Sequence, residues 1–183
     1  MHFTETPLAG AYVIDLDRKG DDRGFFARVF CAREFGEMGL ATEFVQFNNS
    51  LSVHKGTLRG LHYQPGEHAE TKLVRCIRGS FCDVIVDLRK SSPTFGKNFQ
   101  VELTADNRRM LYVPKGFGHS FITLEDNTEA MYFVDAFYAP NVERGVRWND
   151  PALGIEWPIQ PTVMSDRDQA YPDFDPNDPD LPD

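Results

Sequence analysis

"GTLRGLHYQP", residues 56–65 of the 183-residue chain, mixes strand-forming residues with two that an ordinary strand would leave idle. Thr57, Leu58, Leu61 and Tyr63 suit a pleated surface. Arg59 and His62 do not, because a half-buried strand would simply show them to solvent. The alternative is a strand that lines a cavity, with both side chains pointing into it.

The flanking sequence supplies the walls of such a cavity. Strand-like runs recur as "AYVIDL", "GFFARVF", "FVQFNNSLSV", "TLRGLHYQ", "KLVRCIRG", "SFCDVIVDLR", "FQVELT", "RMLYVPKG", "HSFITL" and "AMYFVDAFY", separated mostly by Gly, Pro, Asn and Asp. In "SFCDVIVDLR" the alternation puts Phe81, Asp83, Ile85 and Asp87 on one side and Cys82, Val84, Val86 and Leu88 on the other. One helix is expected around "CAREFGEMGL", ending at Gly39. The pattern predicts a mostly β, antiparallel jelly roll or sandwich with one or two short helices. A jelly roll leaves a hollow between its sheets.

Bulk properties narrow the class. The chain suffices for one domain, expected over residues 1–170, with no internal repeat. No apolar run is long enough to span a membrane, and the start "MHFTETPLAG" lacks the basic and apolar regions of a secretory signal. Cys31, Cys76 and Cys82 are an odd number without C-x-x-C spacing, which predicts reduced thiols and a cytoplasmic location. The net charge of −9 argues against a nucleic-acid partner. Five aspartates of the segment 171–183, "YPDFDPNDPDLPD", carry much of that charge, and its four prolines predict an extended, mobile tail.

Polar residues recur inside the strand-like runs: Arg23, Gln46, Asn48, Arg59, His62, Lys72, His119 and Tyr132. Each alone reads as a solvated or hydrogen-bonded structural residue. Together they require a common reason, since burying so many polar groups without partners costs several kcal/mol. Arginines suit a diphosphate, a histidine with a carboxylate partner suits proton abstraction, and a lysine stabilises a developing enolate. A tyrosine on the opposite side returns a proton. That set describes stereochemical inversion beside a ketone on a nucleotide-linked sugar. The rival is a metal site built from His62 and His119 with Glu67, His68 or Glu70. Against it, no H-x-H pair occurs, and Tyr63 and Gln64 stand where a second ligand would fall.

"DDRGFF", "GTLRGLHYQ", "KLVRCIRGSFCDVIVDLRKSSPTFGK", "LYVPKGFGHSF" and "ERGVRWNDPALGIEWP" resemble the dTDP-4-dehydrorhamnose 3,5-epimerase family, over about Thr4 to Pro172. The resemblance implies a cupin-type jelly roll, a homodimer, and catalysis without metal or cofactor on a nucleoside-diphosphate 4-keto-6-deoxy sugar. It makes His62 the base, Asp168 in "MSDRD" the carboxylate that orients it and leaves Nε2 basic, Tyr132 the acid, and Lys72 the enolate's cation. Arg23 and Arg59 match diphosphate contacts, and Gln46 and Asn48 the nucleotide and sugar pocket. His119, Glu143 and Arg167 fall on further substrate contacts, and Asp83 on a support for Lys72 or His119.

Three positions depart from the family pattern. Arg28 stands where many members carry a glutamate that meets the thymine ring. An arginine only donates hydrogen bonds, so either a CDP- or GDP-sugar replaces the thymidine nucleotide, or Arg28 pairs with a nearby acid. Phe133 replaces a lysine and "GHSF" replaces "GHGF", both expected to reshape the sugar pocket and to decide between inversion at C3 alone and at C3 and C5. A 3,4-ketoisomerase and a binding jelly roll without catalysis are the other readings.

Overall fold

The computed structural model describes residues 1–183. Thirteen strands follow in chain order: β1 (His2–Glu5), β2 (Tyr12–Asp15), β3 (Lys19–Asp21), β4 (Gly24–Phe26), β5 (Gln46–Ser52), β6 (Leu58–Tyr63), β7 (Lys72–Arg78), β8 (Ser80–Asp87), β9 (Asn98–Thr104), β10 (Met110–Val113), β11 (Phe117–Thr123), β12 (Thr128–Val134) and β13 (Arg144–Gly145). Two short helices join them, α1 (Ala32–Glu37) and α2 (Asp166–Gln169). A six-stranded sheet, β1-β2-β10-β7-β12-β5, faces a five-stranded one, β13-β6-β11-β8-β9, and β3 and β4 form a separate hairpin. All the sheet pairings are antiparallel. The jelly roll is as expected.

The alternation of β8 has a stronger outcome than a two-sided strand usually shows, for every residue from Ser80 to Asp87 is buried. Phe81 and Ile85 meet Val74, Leu111 and Ala130 of the other sheet in the central core. Cys82 and Val84 face outward, where Trp148, Trp157, Ile159 and Met164 of the later chain cover them. The outer face of the six-stranded sheet is covered in part by α1, whose Phe35 is buried among Phe3, Phe30 and Tyr112. Gly39, at φ +71, turns the chain out of that helix as read.

The puzzle of Arg59 and His62 is settled by one residue. On a regular strand, side chains three apart face opposite ways. Across β6, Phe121 pairs with Arg59 and His119 with His62, so three steps on β6 match two on β11. The extra residue is Gly60, at φ +110, which makes a β-bulge. Leu58 and Leu61 therefore both face the outer cores while Arg59 and His62 both face the hollow. A Cβ on Gly60 would lie 2.5 Å from the His119 carbonyl oxygen and 2.9 Å from the Ser120 Cβ. Only glycine fits there.

Several expectations are corrected. "GFFARVF" pairs only over Gly24–Phe26, because Val29 and Phe30 leave the hairpin to join the aromatic cluster around Phe35. The tail does not hang free. Leu181 is 6% exposed and packs with Leu61, Val86 and Leu153, and the Lys90 amide donates to the Pro182 carbonyl at 2.8 Å. Prolines exclude a helix or ladder there, but they do not prevent docking. The three cysteines are free, and burial pushes the Cys76 and Cys82 thiols up to about 11. Truncating the buried tail residue, Leu181→Ala, is expected to cost about 2–3 kcal/mol in urea unfolding; a mobile tail would give no change.

Candidate active site

The space between the sheets that the core leaves open divides into two neighbouring cavities of about 650 Å³ and 270 Å³. His62, Lys72 and Tyr132 line both. Strand period places the rest. Tyr132 pairs with Val74 and Asn48, and Val134 with Lys72 and Gln46, so Lys72, Tyr132, Asn48 and Gln46 share the inner face of the six-stranded sheet. Arg59, His62 and His119 look back at them from the five-stranded sheet.

Asp168 reaches His62 from 106 residues away. The Leu58 amide donates to the Val163 carbonyl at 2.9 Å, which ties the late chain to the start of β6. Ser165 then caps α2, its hydroxyl oxygen accepting from the Asp168 amide at 3.1 Å. The Asp168 carboxylate lies 2.6 Å from His62 Nε2. The bonded nitrogen is thus Nε2, and the expectation of a basic Nε2 is corrected: with Nε2 donating, the free lone pair is on Nδ1. Burial raises the Asp168 pKa, but the bonds and charge of His62 and the Ser165 and Gly60 contacts outweigh it and hold the carboxyl below the ordinary range.

A second set of contacts encloses the imidazole. Glu143 Oε1 stands 3.9 Å from Nδ1 and is itself paired with the Arg167 guanidinium. Tyr171 packs its ring edge-on at 5.7 Å, and its hydroxyl accepts from Arg167 Nε at 2.8 Å. Gly145 makes room for this, since a Cβ there would come 2.4 Å from the Tyr171 ring. Nothing in the sequence marks Tyr171 as a site residue, because it opens the proline-rich acidic segment that reads as tail.

His119 carries its own carboxylate. Its Nε2 lies 2.6 Å from Asp83 Oδ1, so of the two roles open to Asp83 the structure supports His119 rather than Lys72. Complete burial pushes the Asp83 carboxyl up, against the lowering effect of His119 and Lys72. Arg59 is held at the rim by Ser52 Oγ and the Leu51 carbonyl, both at 3.2 Å. Gln46 accepts from the Tyr138 amide at 2.7 Å, and Asn48 lines the smaller cavity.

Four residues fall elsewhere. Arg23 sits in the β3–β4 hairpin with a side chain 90% exposed, paired with Asp21 and outside both cavities. Arg28 contacts Glu34 Oε1 at 3.4 Å, the second of its two expected fates. Phe133 does not touch the sugar pocket as expected: its odd register turns it to the outer face, edge-on to Phe47 at 4.7 Å. Ser120 likewise faces away, its hydroxyl donating to the Arg59 carbonyl at 2.7 Å, where it helps seat the bulge. No group of three or more His, Cys, Asp or Glu side chains converges as a metal site would require. His62 and His119 each spend a nitrogen on an aspartate instead.

A jelly roll whose hollow holds two histidine–aspartate pairs opposite a lysine and a tyrosine is the frame of a sugar-nucleotide epimerase. The model of the dTDP-4-dehydrorhamnose 3,5-epimerase family matches residues 5–176. A dTDP-4-dehydrorhamnose 3,5-epimerase of Shigella flexneri is 45% identical over 179 residues, 96% of this chain and 98% of that protein. The crystal structure of the Bacillus anthracis enzyme with TDP and pyrophosphate bound superposes with a TM-score of 0.91 at 43% identity, covering 94% of this chain and 99% of that one. ChmJ, a 3'-monoepimerase from Streptomyces bikiniensis solved with dTDP-quinovose, gives 0.85 at 35% identity, over 92% and 85%. The chain belongs to the dTDP-4-dehydrorhamnose 3,5-epimerase family.

Because Asp168 is held below its unfolded pKa, its pairing with His62 stabilises the fold fully above about pH 4 and is lost as pH falls through the lower folded value. Acid unfolding of Asp168→Asn should therefore converge on wild type below about pH 4 while remaining less stable above it. A constant gap across that range would show that the carboxylate's charge is irrelevant.

Proposed function

We propose that this protein inverts C3 and C5 of a nucleoside-diphosphate 4-keto-6-deoxyhexose, the dTDP-linked sugar being the first candidate. The observation that carries the reading is the disposition of His62, backed by Asp168, on one sheet and of Tyr132 and Lys72 on the other. His62 takes the proton alpha to the C4 ketone, and the electron pair moves onto the carbonyl oxygen as an enolate. Lys72 offsets that negative charge. Tyr132 then gives its proton to the same carbon from the other side of the ring. Imidazolium and phenolate return to their starting states by exchange with solvent. Burial, with the nearby charge of Glu70, raises the Tyr132 pKa and so keeps the phenol protonated as the acid. His119, Glu143 and Arg167 contact the sugar and Arg59 the diphosphate, with Gln46 and Asn48 on the inner wall. No cofactor takes part. The dTDP-sugar enzymes among its relatives support a thymidine nucleotide, and Arg28, 3.4 Å from Glu34, lies outside both cavities. Three free cysteines suit a cytoplasmic enzyme, and no helix is long and apolar enough to cross a membrane.

The working unit in this reading is a homodimer. Phe47, at 66% exposure, Leu51 and Ile77 leave an apolar outer face on the six-stranded sheet, and Arg75 Nε is buried on that face without a partner. Phe26 and Arg23 project from the hairpin. An Arg23 that stands outside its own cavity meets a diphosphate only in the cavity of a second copy.

In D2O, His62→Asn should cut deuterium uptake at the inverted carbons by about 10²–10⁴-fold; full exchange in that variant removes His62 as the base. Tyr132→Phe should depress completed inversion more than exchange, and product NMR also separates C3 from C5 inversion. Mixing Arg23→Ala with His62→Asn should restore activity that neither has alone, since the hybrid dimer keeps one complete site. No recovery on mixing means that Arg23 does not act across subunits.

A further inference from the structure

We propose that Glu70 is a positioning residue for the reaction just described, the built-in counter-ion that fixes the charge around Lys72 and Tyr132. It stands two residues before Lys72, so an extended chain turns both side chains to the same side, into the smaller cavity with Tyr132. The backbone between them is clamped. The Thr71 amide donates to Asp135 Oδ1 at 2.7 Å, and the Asp135 amide donates to the Thr71 carbonyl at 3.3 Å. The Lys72 ammonium then meets the Glu70 carboxylate directly, with side chains only 12% and 11% exposed. An ion pair this enclosed is screened little by solvent, and its charges act on whatever lies beside it.

The neighbour that matters is the phenol. Arg59 and His62 of β6, Lys72 of β7, His119 of β11, Tyr138 and Glu143 beyond β12, and Arg167 and Asp168 of α2 share the cavities with Tyr132. Asp83 of β8 also feels the Lys72 charge, but it bonds His119; without Glu70 the ammonium would lose its direct carboxylate partner and would favour loss of the very proton the phenol must deliver. With Glu70 in place, the resting pair is neutral. Charge appears beside Lys72 only when the enolate forms, which is when the ammonium is needed. Holding the ammonium by a carboxylate also keeps its four-carbon stem from sampling other rotamers.

The test reads Tyr132 itself. The ultraviolet phenolate titration of Tyr132, isolated by subtracting the curve of Tyr132→Phe, requires no turnover. Glu70→Gln keeps an amide oxygen for Lys72 to bond but removes the charge, and should move the Tyr132 midpoint to lower pH by about 1 unit. Glu70→Asp should keep the wild-type midpoint. Glu70→Ala gives the same downward shift and serves where the amide variant melts too early. The alkaline limb of completed inversion should follow, while deuterium exchange at neutral pH changes less. A midpoint that stays put or rises in Glu70→Gln overturns the proposal, as does one that falls equally in Glu70→Asp. A downward shift in Glu70→Gln together with a wild-type protein that exchanges no deuterium into 4-keto sugar nucleotides instead overturns the epimerase reading.

Discussion

Where β6 passes Ser120, its backbone lies so close to the neighbouring strand that no side chain fits, and the strand carries one residue more than its partner. That crowding, with the Ser120 hydroxyl bonded to the Arg59 carbonyl, resets the phase of the strand halfway along. Two apolar side chains stay on the outside and two polar ones turn inward, although their spacing on a regular strand would part them. The inward places of His62 and Arg59 and the outer packing of Leu58 and Leu61 all follow from it. A substitution at Gly60 would be a change of register for the whole cavity wall rather than a local defect.

The two sheets divide the chemistry between them. The five-stranded sheet holds both imidazoles, each against an aspartate, and the six-stranded sheet holds the cation and the phenol. The imidazole of His62 and the phenol of Tyr132 thus face each other from opposite walls, the disposition that the proposed inversion requires. The outer faces of the walls are packed as well, in part by α1 on one side and by the Trp148–Trp157 segment on the other. On the outer face of the six-stranded sheet, the part around Phe47 and Leu51 remains apolar and bare.

Much of this was legible in the sequence because strand period is a local rule. Gln46, Asn48, Lys72 and Tyr132 each lie on the inner face that alternation assigns them. The helix ending at Gly39 and the whole of β8 were equally plain. What was hidden depends on contacts distant in sequence. Phe133 and Ser120 were expected in the sugar pocket, yet the same alternation, applied one residue over, turns Phe133 outward. Tyr171 reads as part of a proline-rich acidic end, and nothing local signals that its ring will wedge between Gly145 and His62. Which ring nitrogen Asp168 bonds is likewise a matter of approach direction, fixed by the capped turn at Ser165 and invisible in "MSDRD".

The order in which these parts leave the ribosome has its own consequence. His62 is made early, but the carboxylate that seats it follows 106 residues later, and Tyr171 later still. Until that segment is made, the imidazole lacks the carboxylate that fixes its ring. Alignment of that imidazole therefore waits on the late segment that clips onto the beginning of β6, so the two ends of the chain must both be in place before the cavity is complete.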